Sequence, residues 1–140
     1  MSPQPQVDPR GTRFAAGLTT VVLALVLVTG WVWLLVAQVA VFALGVLGRS
    51  PYGLLYQVAV RPRLGPPREL EDAAPPRFAQ GVGLAFAVVG VIGFVAGIAP
   101  LALGATALAL LAAFLNAAFG FCLGCEMYLL IRRLLPAATR

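Results

Sequence analysis

Residues 14–48 read FAAGLTTVVLALVLVTGWVWLLVAQVAVFALGVLG, and this run of 35 residues contains no charged side chain. A second uncharged run covers residues 78–125 and is 48 residues long. About 20 apolar residues in a helix cross the hydrocarbon core of a bilayer, so each run is far longer than one span needs. The two runs predict an integral membrane protein whose chain turns back within each of them.

Each run contains a place suited to a turn. In the first, Gly30 accepts turn geometry, and Trp31 beside it suits the membrane–water interface. In the second, Pro100 favours the start of a helix and disfavours a helix interior. We therefore predict an all-α, polytopic membrane protein with four transmembrane helices. They run from Phe14 to Val28, from Trp31 to Leu47, from Arg77 to Ala96, and from Leu101 onward.

The composition agrees with a membrane location and excludes several kinds of chemistry. Of the 140 residues, 61% are hydrophobic, and the mean hydropathy is +0.94. All ten basic residues are arginine, because the chain contains neither lysine nor histidine. A Ser-His triad, a histidine-bound zinc, a Schiff-base lysine and a Walker-A lysine are therefore excluded. We expect the lipid bilayer as a partner and no nucleic acid, since no base-reading or stacking elements accompany the arginines.

The arginines also predict the orientation of the chain. In the four-span arrangement all ten lie on one side of the membrane, and the two turns on the other side carry no charge. By the positive-inside rule, both termini and the central loop are expected in the cytoplasm. The ten are Arg10, Arg13, Arg49, Arg61, Arg63, Arg68, Arg77, Arg132, Arg133 and Arg140.

The same pattern divides the chain into five segments. Within the central loop, Ser50-Pro51 predicts the start of a short interfacial helix on the inner leaflet, which Pro62 is expected to end. The segments are a polar N-terminal tail (1–12), a transmembrane hairpin (13–48), a cytoplasmic loop rich in proline and arginine (49–76), a second transmembrane hairpin (77–135) and a C-terminal tail (136–140).

The two hairpins resemble each other in sequence. The pattern Asp-x4-Arg-Phe-Ala-x-Gly begins at Asp8 and recurs 64 residues later, beginning at Asp72. Phe42-Ala43-Leu44-Gly45 has an echo in Phe121-Cys122-Leu123-Gly124. The equal spacing of charged residues favours a duplication, in which two parallel hairpins enter from the cytoplasm. Chance similarity in apolar sequence of low diversity is the alternative.

Both cysteines lie in the motif Phe121-Cys122-Leu123-Gly124-Cys125-Glu126. If the fourth helix continues through this motif, the two thiols and the carboxyl group of Glu126 share one face near its inner end. A carboxylate within a span needs a partner or water. Arg13 and Arg77, which open the first and third helices on the same side, are its expected ion-pair partners.

Three interpretations of the cysteines compete: a dithiol for redox or sulfur transfer, a metal site, and inert packing residues. Against the first, a position near a helix C-terminus beside a carboxylate raises a thiol pKa. A regular i, i+3 pair is also too far apart for a relaxed disulfide unless Gly124 loosens the turn. Two thiolates and one carboxylate leave a metal site incomplete without a dimer or an outside ligand. We therefore assign no metal and no other cofactor.

Small and polar residues within the spans have a packing interpretation. Gln38 and Asn116 are expected to form interhelical hydrogen bonds rather than to line a transport path. Small residues four apart let helices approach closely, within one bundle or, as the alternative, in a homodimer. Two such pairs are Gly93 with Gly97 and Gly120 with Gly124.

Four blocks resemble the bacterial membrane-protein family known as domain of unknown function 4395, and the resemblance covers roughly Val7 to Arg133. The most specific is the family's ending Phe-Cys-x-Gly-Cys, which is Phe121, Cys122, Gly124 and Cys125 here. Other members often carry Cys-Pro before the first helix, and sometimes one after the second, where this chain has aspartate and serine. The blocks are Arg49–Leu54, Arg61–Pro67, Pro75–Gln80 and Phe121–Glu126.

The family has no established activity, but its genes often accompany genes for thioredoxin-like or rhodanese-like proteins, and the resemblance implies such a partner. It also implies the inner membrane of a bacterium. We therefore expect an accessory protein for thiol redox or sulfur handling rather than a stand-alone enzyme. Cys122 and Cys125 would be the working thiols, tuned by Glu126 with Arg13 or Arg77. A structural or assembly role with inert cysteines is the alternative, and a metal site is the third.

Overall fold

A computed structural model describes residues 6–66 and 70–135 and confirms the all-α class. The predicted tail residues 1–5 and 136–140 lie outside the described residues, as do Arg68 and Arg140. In chain order the elements are β1 (Gln6–Val7), α1 (Pro9–Thr29), α2 (Val32–Val46), α3 (Pro51–Leu55), a π-helical turn (Tyr56–Val60), α4 (Arg61–Leu64), β2 (Glu71–Asp72), α5 (Ala74–Ala96), α6 (Ala99–Phe119) and α7 (Leu123–Leu134).

The long helices fit a multi-pass membrane protein. α1, α5 and α6 are each long and apolar enough to cross a membrane. α2 has only 15 residues, and it meets the same criterion only together with the helical segment 51–64, from which it is bent by 79°. The described residues thus contain three candidate spans, or four with the bent pair. Trp31 and Trp33 at the start of α2 are both more than half exposed, as side chains at a membrane interface should be.

Glycines in the left-handed conformation end three of the long helices. Gly30 ends α1 with a φ of 69°, at the turn predicted from the sequence. Gly97 ends α5 with a φ of 74°, and no atom lies within 4 Å of the position a Cβ would take there. Its predicted role in helix packing is therefore wrong, because it serves as a helix cap. At Gly93, α5 and α6 come close together, since a Cβ there would lie 2.5 Å from the backbone nitrogen of Ala102.

The four long helices pack around one apolar core. α1 packs mainly against α6, α5 packs against both α6 and α2, and the contact between α1 and α2 is smaller. At one end of the bundle lie β1, β2, the helical segment 51–64 and the start of α7, and we call this the polar end. The buried core residues are Leu23, Val26, Leu35, Phe42, Ala87 and Ala109.

The helix in the central loop is longer than the sequence predicted. It begins at Pro51, capped by the side chain of Ser50, and continues through Pro62 to Leu64. The prediction that Pro62 ends it is wrong. The chain widens into a π-helical turn directly before α4, at the place where a proline disrupts the α-helical hydrogen-bond pattern. Gly65, with a φ of 78°, ends the segment instead.

The start of α1 is tied to this loop. Asp8 accepts a hydrogen bond from the backbone N–H of Arg10 (2.9 Å) and forms a salt bridge with its guanidinium (3.0 Å). The hydroxyl of Tyr56 donates to the same carboxylate (2.8 Å). The hydrogen bond from the Arg10 side chain, assisted by that of Tyr56, holds the pKa of Asp8 below its usual value although burial opposes it. Residues 6–12, predicted to be part of a tail, thus belong to β1 and α1.

Candidate functional site

The CxxC motif lies at a break between two helices, not inside one. α6 ends at Phe119, where Gly120 takes the left-handed conformation with a φ of 70°. Cys122 is extended, and α7 begins at Leu123. The prediction of one continuous fourth helix is therefore wrong, and so is the packing role of Gly120, which is the cap of α6. Because Cys122 lies outside the helix, it does not share a helical face with Cys125 and Glu126.

The break brings the two cysteines together. Cys122 and Cys125 form a disulfide, with their Cα atoms 5.2 Å apart. This separation lies within the usual range of about 4.4–6.8 Å. The two cysteines of an i, i+3 pair on a regular helix would be too far apart for a relaxed disulfide. This does not apply here, because the backbone of Cys122 is extended and its side chain folds back onto the first turn of α7. Gly124 does not loosen this turn but lies within α7 itself.

The pair lies at the N-terminus of a helix, which reverses the expected electrostatic setting. Cys122 is the N-cap of α7, and its sulfur accepts a hydrogen bond from the backbone N–H of Cys125 (3.1 Å). Helix N-termini carry free N–H groups and the positive end of the helix dipole, which favour anions. Glu126 occupies the first turn of α7 and is exposed. The predicted position of the cysteines near a helix C-terminus is therefore wrong.

Close packing against α5 fixes the position of α7. A Cβ on Gly124 would lie 2.5 Å from the Cβ and 2.6 Å from the Cα of Ala79, so the two backbones come as close as a glycine permits. One turn further along α7, the ring of Tyr128 lies against that of Phe78, with centroids 5.7 Å apart. This close contact with α5 also positions the disulfide at the start of α7.

The two arginines predicted to pair with Glu126 bind backbone carbonyl groups instead. Arg13 donates to the carbonyl oxygens of Ala117 (3.2 Å) and Ala118 (3.4 Å), at the end of α6. Arg77 donates to the carbonyl oxygen of Val46 (2.9 Å), at the end of α2. Cations are favourable at helix C-termini, where carbonyl groups lack partners. In the part of the chain that the structure describes, the one salt bridge is that of Arg10 with Asp8, so the predicted ion pairs of Glu126 are absent.

A cleft of 620 Å³ lies beside the disulfide, between α1, α5, α6 and α7. Both cysteines line it, together with Arg13 and Glu126. Glu71 and Asp72 also line it, and neither was among the site residues predicted from the sequence. For Asp72 the available signal was the recurring Asp-x4-Arg pattern, which places it at the start of the helix that carries Arg77.

A chain of polar side chains lies deeper in the bundle. The side-chain nitrogen of Gln38, which is 1% exposed, donates to the hydroxyl of Thr19 (3.5 Å), and its oxygen accepts from the hydroxyl of Tyr52 (2.9 Å). These bonds join α1, α2 and α3, as predicted for Gln38. Thr19 and Asn116 both line the cleft. No group of three or more Cys, Asp or Glu side chains within residues 6–66 and 70–135 is arranged to hold a metal ion.

A family model described as Domain of unknown function (DUF4395) matches residues 7–133, nearly the whole chain. The resemblance found in the sequence is thereby confirmed. Neither a curated protein nor a solved structure matches the chain.

Proposed function

We propose that this chain, which belongs to the family described as Domain of unknown function (DUF4395), is a membrane accessory protein for thiol redox or sulfur handling. Cys122 and Cys125 are the working pair, with a disulfide in one state and two thiols in the other. The observation that carries the proposal is the joined pair at the N-terminus of α7, beside the cleft.

The chemistry of the pair is thiol–disulfide exchange. A thiolate of a partner protein attacks one sulfur, the S–S bond breaks, and a mixed disulfide forms, which the partner's second thiolate resolves. The released cysteine thiolate lies where the N–H groups of the first turn of α7 stabilise an anion. The proposed partner is a cytosolic thioredoxin-like or rhodanese-like protein. The chain acts with such a partner rather than as a stand-alone enzyme.

The proposed location is the bacterial inner membrane, with both termini and the polar end in the cytoplasm. The eight described arginines belong to the first turns of α1 and α5, the central loop and α7, whereas the turns at Gly30 and Gly97 carry no charge. This asymmetry supports the orientation through the positive-inside rule. In the proposed orientation the disulfide would lie on the reducing side, where a cytosolic thiol protein can reach it.

We also propose that the two hairpins are copies of one unit. Two sets of equivalent contacts, beyond the sequence pattern, support this. Asp8 and Asp72 each accept a hydrogen bond from the backbone N–H two residues later, at the starts of α1 and α5. Arg13 binds the end of α6 and Arg77 binds the end of α2, so each hairpin caps the second helix of the other. Two-fold related hairpins of this kind would close around the cleft.

A structural role with inert cysteines is the second candidate. It draws support from the close packing of Gly124 on Ala79. This packing already fixes α7 against α5, and the disulfide then adds a further constraint at the start of α7. The third candidate, a metal site, would use the thiolates of the reduced pair with Glu126 and would need an outside ligand.

Redox titration of the purified protein in detergent tests the proposal against the structural alternative. The protein is equilibrated in glutathione buffers of graded potential, the free thiols are alkylated, and the occupancy of Cys122 and Cys125 is read by mass spectrometry. We expect one reversible two-electron transition. The matched control is Cys122→Ser, in which the remaining thiol can form only a mixed disulfide with glutathione.

Alkylation in inside-out vesicles then tests accessibility and orientation. We expect the reduced pair to react from the cytoplasmic side at a pH below about 8.5, the ordinary pKa of a thiol. Cysteines that stay unreactive in both redox states until the bundle is unfolded would overturn the redox proposal and leave the structural role. Reaction only from the opposite side would overturn the orientation.

A further inference from the structure

The wall of the cleft away from its charged mouth is mostly apolar, although Thr19, Gln80 and Asn116 also line it. Away from the cysteines its walls include Phe42 of α2, Phe86 of α5 and Leu108 of α6. These residues belong to helices that are candidate spans or part of one, so the inner part lies at the depth of the hydrocarbon core. A volume of 620 Å³ falls within the range of roughly 300–1,000 Å³ found for small-molecule sites. The occupant that fits is a small molecule with a long apolar part.

A second groove extends this apolar surface towards the other end of the bundle. It has a volume of 390 Å³, lies between α5 and α6, and shares Phe86 and Leu108 with the cleft. Its far end reaches Pro100, at the start of α6. Several side chains along it, including Leu101 and Val89, are exposed on the outer surface of the bundle. An apolar tail that leaves the cleft beside Phe86 and Leu108 would therefore enter this groove and reach the lipid.

The charges at the mouth disfavour an anionic headgroup. Glu71, Asp72 and Glu126 line the cleft, and Arg13 is the cation among its lining residues. The guanidinium of Arg13 already donates to two carbonyl groups of α6. The mouth thus has three carboxylates and one cation, and that cation is already bound to carbonyl groups. Such a mouth repels phosphate groups and the carboxylate groups of fatty acids. The mouth thus disfavours an anionic head, and the group that lies there is next to a pair of cysteines whose dithiol form gives up two electrons.

We propose that the cleft binds a quinone from the membrane and that this quinone oxidises the reduced Cys122–Cys125 pair, an inference that rests on the function proposed above. An isoprenoid quinone combines a neutral head that accepts two electrons with an apolar tail. In the reaction the two thiols lose two electrons and two protons and form the S–S bond. The two carbonyl oxygens of the quinone take those electrons and protons and become the hydroxyls of a hydroquinone. The thiol partner then reduces the disulfide again by exchange.

The test uses the full chain, reduced and freed of reductant, in detergent micelles. The probe is a fully ring-substituted benzoquinone with a decyl tail, whose ring has no position open to thiol addition. Its conversion to the hydroquinone is followed by ultraviolet absorbance, and disulfide formation is followed by mass spectrometry. We expect one quinone consumed for each disulfide formed. The same ring without a tail should react about tenfold more slowly, because it lacks the apolar contacts that hold the ring in place.

Two alanines of α6 provide a blocked cleft and a matched control. Ala112 lines the cleft, so Ala112→Phe places a ring in the space that the quinone needs. Ala107 is exposed and lines neither the cleft nor the groove, so Ala107→Phe adds the same ring elsewhere on α6. We expect Ala112→Phe to slow quinone reduction about tenfold or more, since small displacements of a reacting group have effects of this size. Ala107→Phe should leave the rate unchanged.

Titration with glutathione separates the two proposals. Suppose that all variants cycle with glutathione. If the quinone then reacts equally fast with all of them, or if it binds without oxidising the thiols, the proposed quinone site is wrong and the redox function stands. If the wild-type pair does not cycle with glutathione, both proposals fail. If Ala112→Phe also loses its glutathione transition, this variant no longer reports on the quinone site. The rates of the tailed and tailless quinones with the wild-type protein then test the site, and equal rates would refute it.

Discussion

Gly124→Ala is the most direct test of how the CxxC motif is held. The added Cβ would lie 2.5 Å from the Cβ and 2.6 Å from the Cα of Ala79. Carbon atoms in good contact are about 3.5–4.0 Å apart, so α7 must move away from α5 by roughly 1 Å. The obstacle includes the backbone of α5, which cannot rotate aside as a flexible side chain would.

The expected cost follows from two opposing effects. Overpacking of this kind costs about 1–3 kcal/mol, whereas replacing a glycine inside a helix with alanine gains about 0.5–1 kcal/mol. We therefore expect Gly124→Ala to lower the free energy of unfolding by about 1–2 kcal/mol. For a chain of this size, each kcal/mol corresponds to a fall of about 4 °C in the unfolding temperature.

Gly104→Ala is the matched control. Gly104 lies within α6, and no atom is within 4 Å of the position of its missing Cβ, so only the helix-favouring effect remains. Thermal unfolding of both variants and the wild type is followed in one detergent, with the cysteines reduced to exclude a contribution of the disulfide. The reasoning is refuted if Gly124→Ala unfolds at the same temperature as Gly104→Ala or at a higher one.

Two further predictions concern helix starts. Cys122→Ala removes the N-cap of α7 and should leave the protein about 1 kcal/mol less stable than Cys122→Ser, since serine is a preferred N-cap. Denaturant unfolding under reducing conditions measures the difference, and equal stabilities would contradict a capping role. The pKa of Asp8 is lower in the folded protein, so its contribution to stability is complete above its ordinary value of 3.8 and disappears as the pH falls through the folded pKa. Asp8→Asn should show a smaller loss of stability between neutral pH and pH 3, and an unchanged pH profile would refute the interaction.

The sequence was sufficient for the parts of the fold that depend on length and apolar character. The two uncharged runs and the residues Gly30 and Pro100 predicted four long helices, and apart from the end of the fourth their ends lie within about five residues of the observed ones. These features follow from the thickness of a bilayer and from local turn geometry, and neither depends on distant contacts.

The break before α7 was missed because Gly120 fits two patterns. It is four residues from Gly124, which is typical of helix packing, but its left-handed conformation ends α6. Length was the available signal: residues 101–135 are again 35 in number, as in the first run, and should have been divided by the same argument. The error moved the cysteines from a helix start to a helix end and so reversed the expected electrostatics.

Other features could not be found from the sequence because they depend on tertiary contacts. An arginine can bind a carboxylate or the carbonyl groups of another helix. The tertiary structure decides between them, because it determines which groups lie beside the guanidinium. Arg13 and Arg77 each lie next to the end of a helix from the other hairpin, so they bind carbonyl groups there. Similarly, the side chain of Tyr56 is almost completely buried because Asp8, Gly11 and Phe14 of α1 and its N-cap lie against it.

The exchange of arginines between the hairpins bears on the biogenesis of the protein. When the ribosome has delivered α2, the residue that binds the carbonyl group of Val46 is still 31 positions away in the nascent chain. Arg13, made near the beginning, binds a carbonyl group 104 positions later. In the proposed two-hairpin arrangement, the first hairpin is therefore made before the guanidinium of Arg13 and the carbonyl group of Val46 have their partners, which belong to the second hairpin. Both contacts thus form only after the two halves of the chain have been made and have come together.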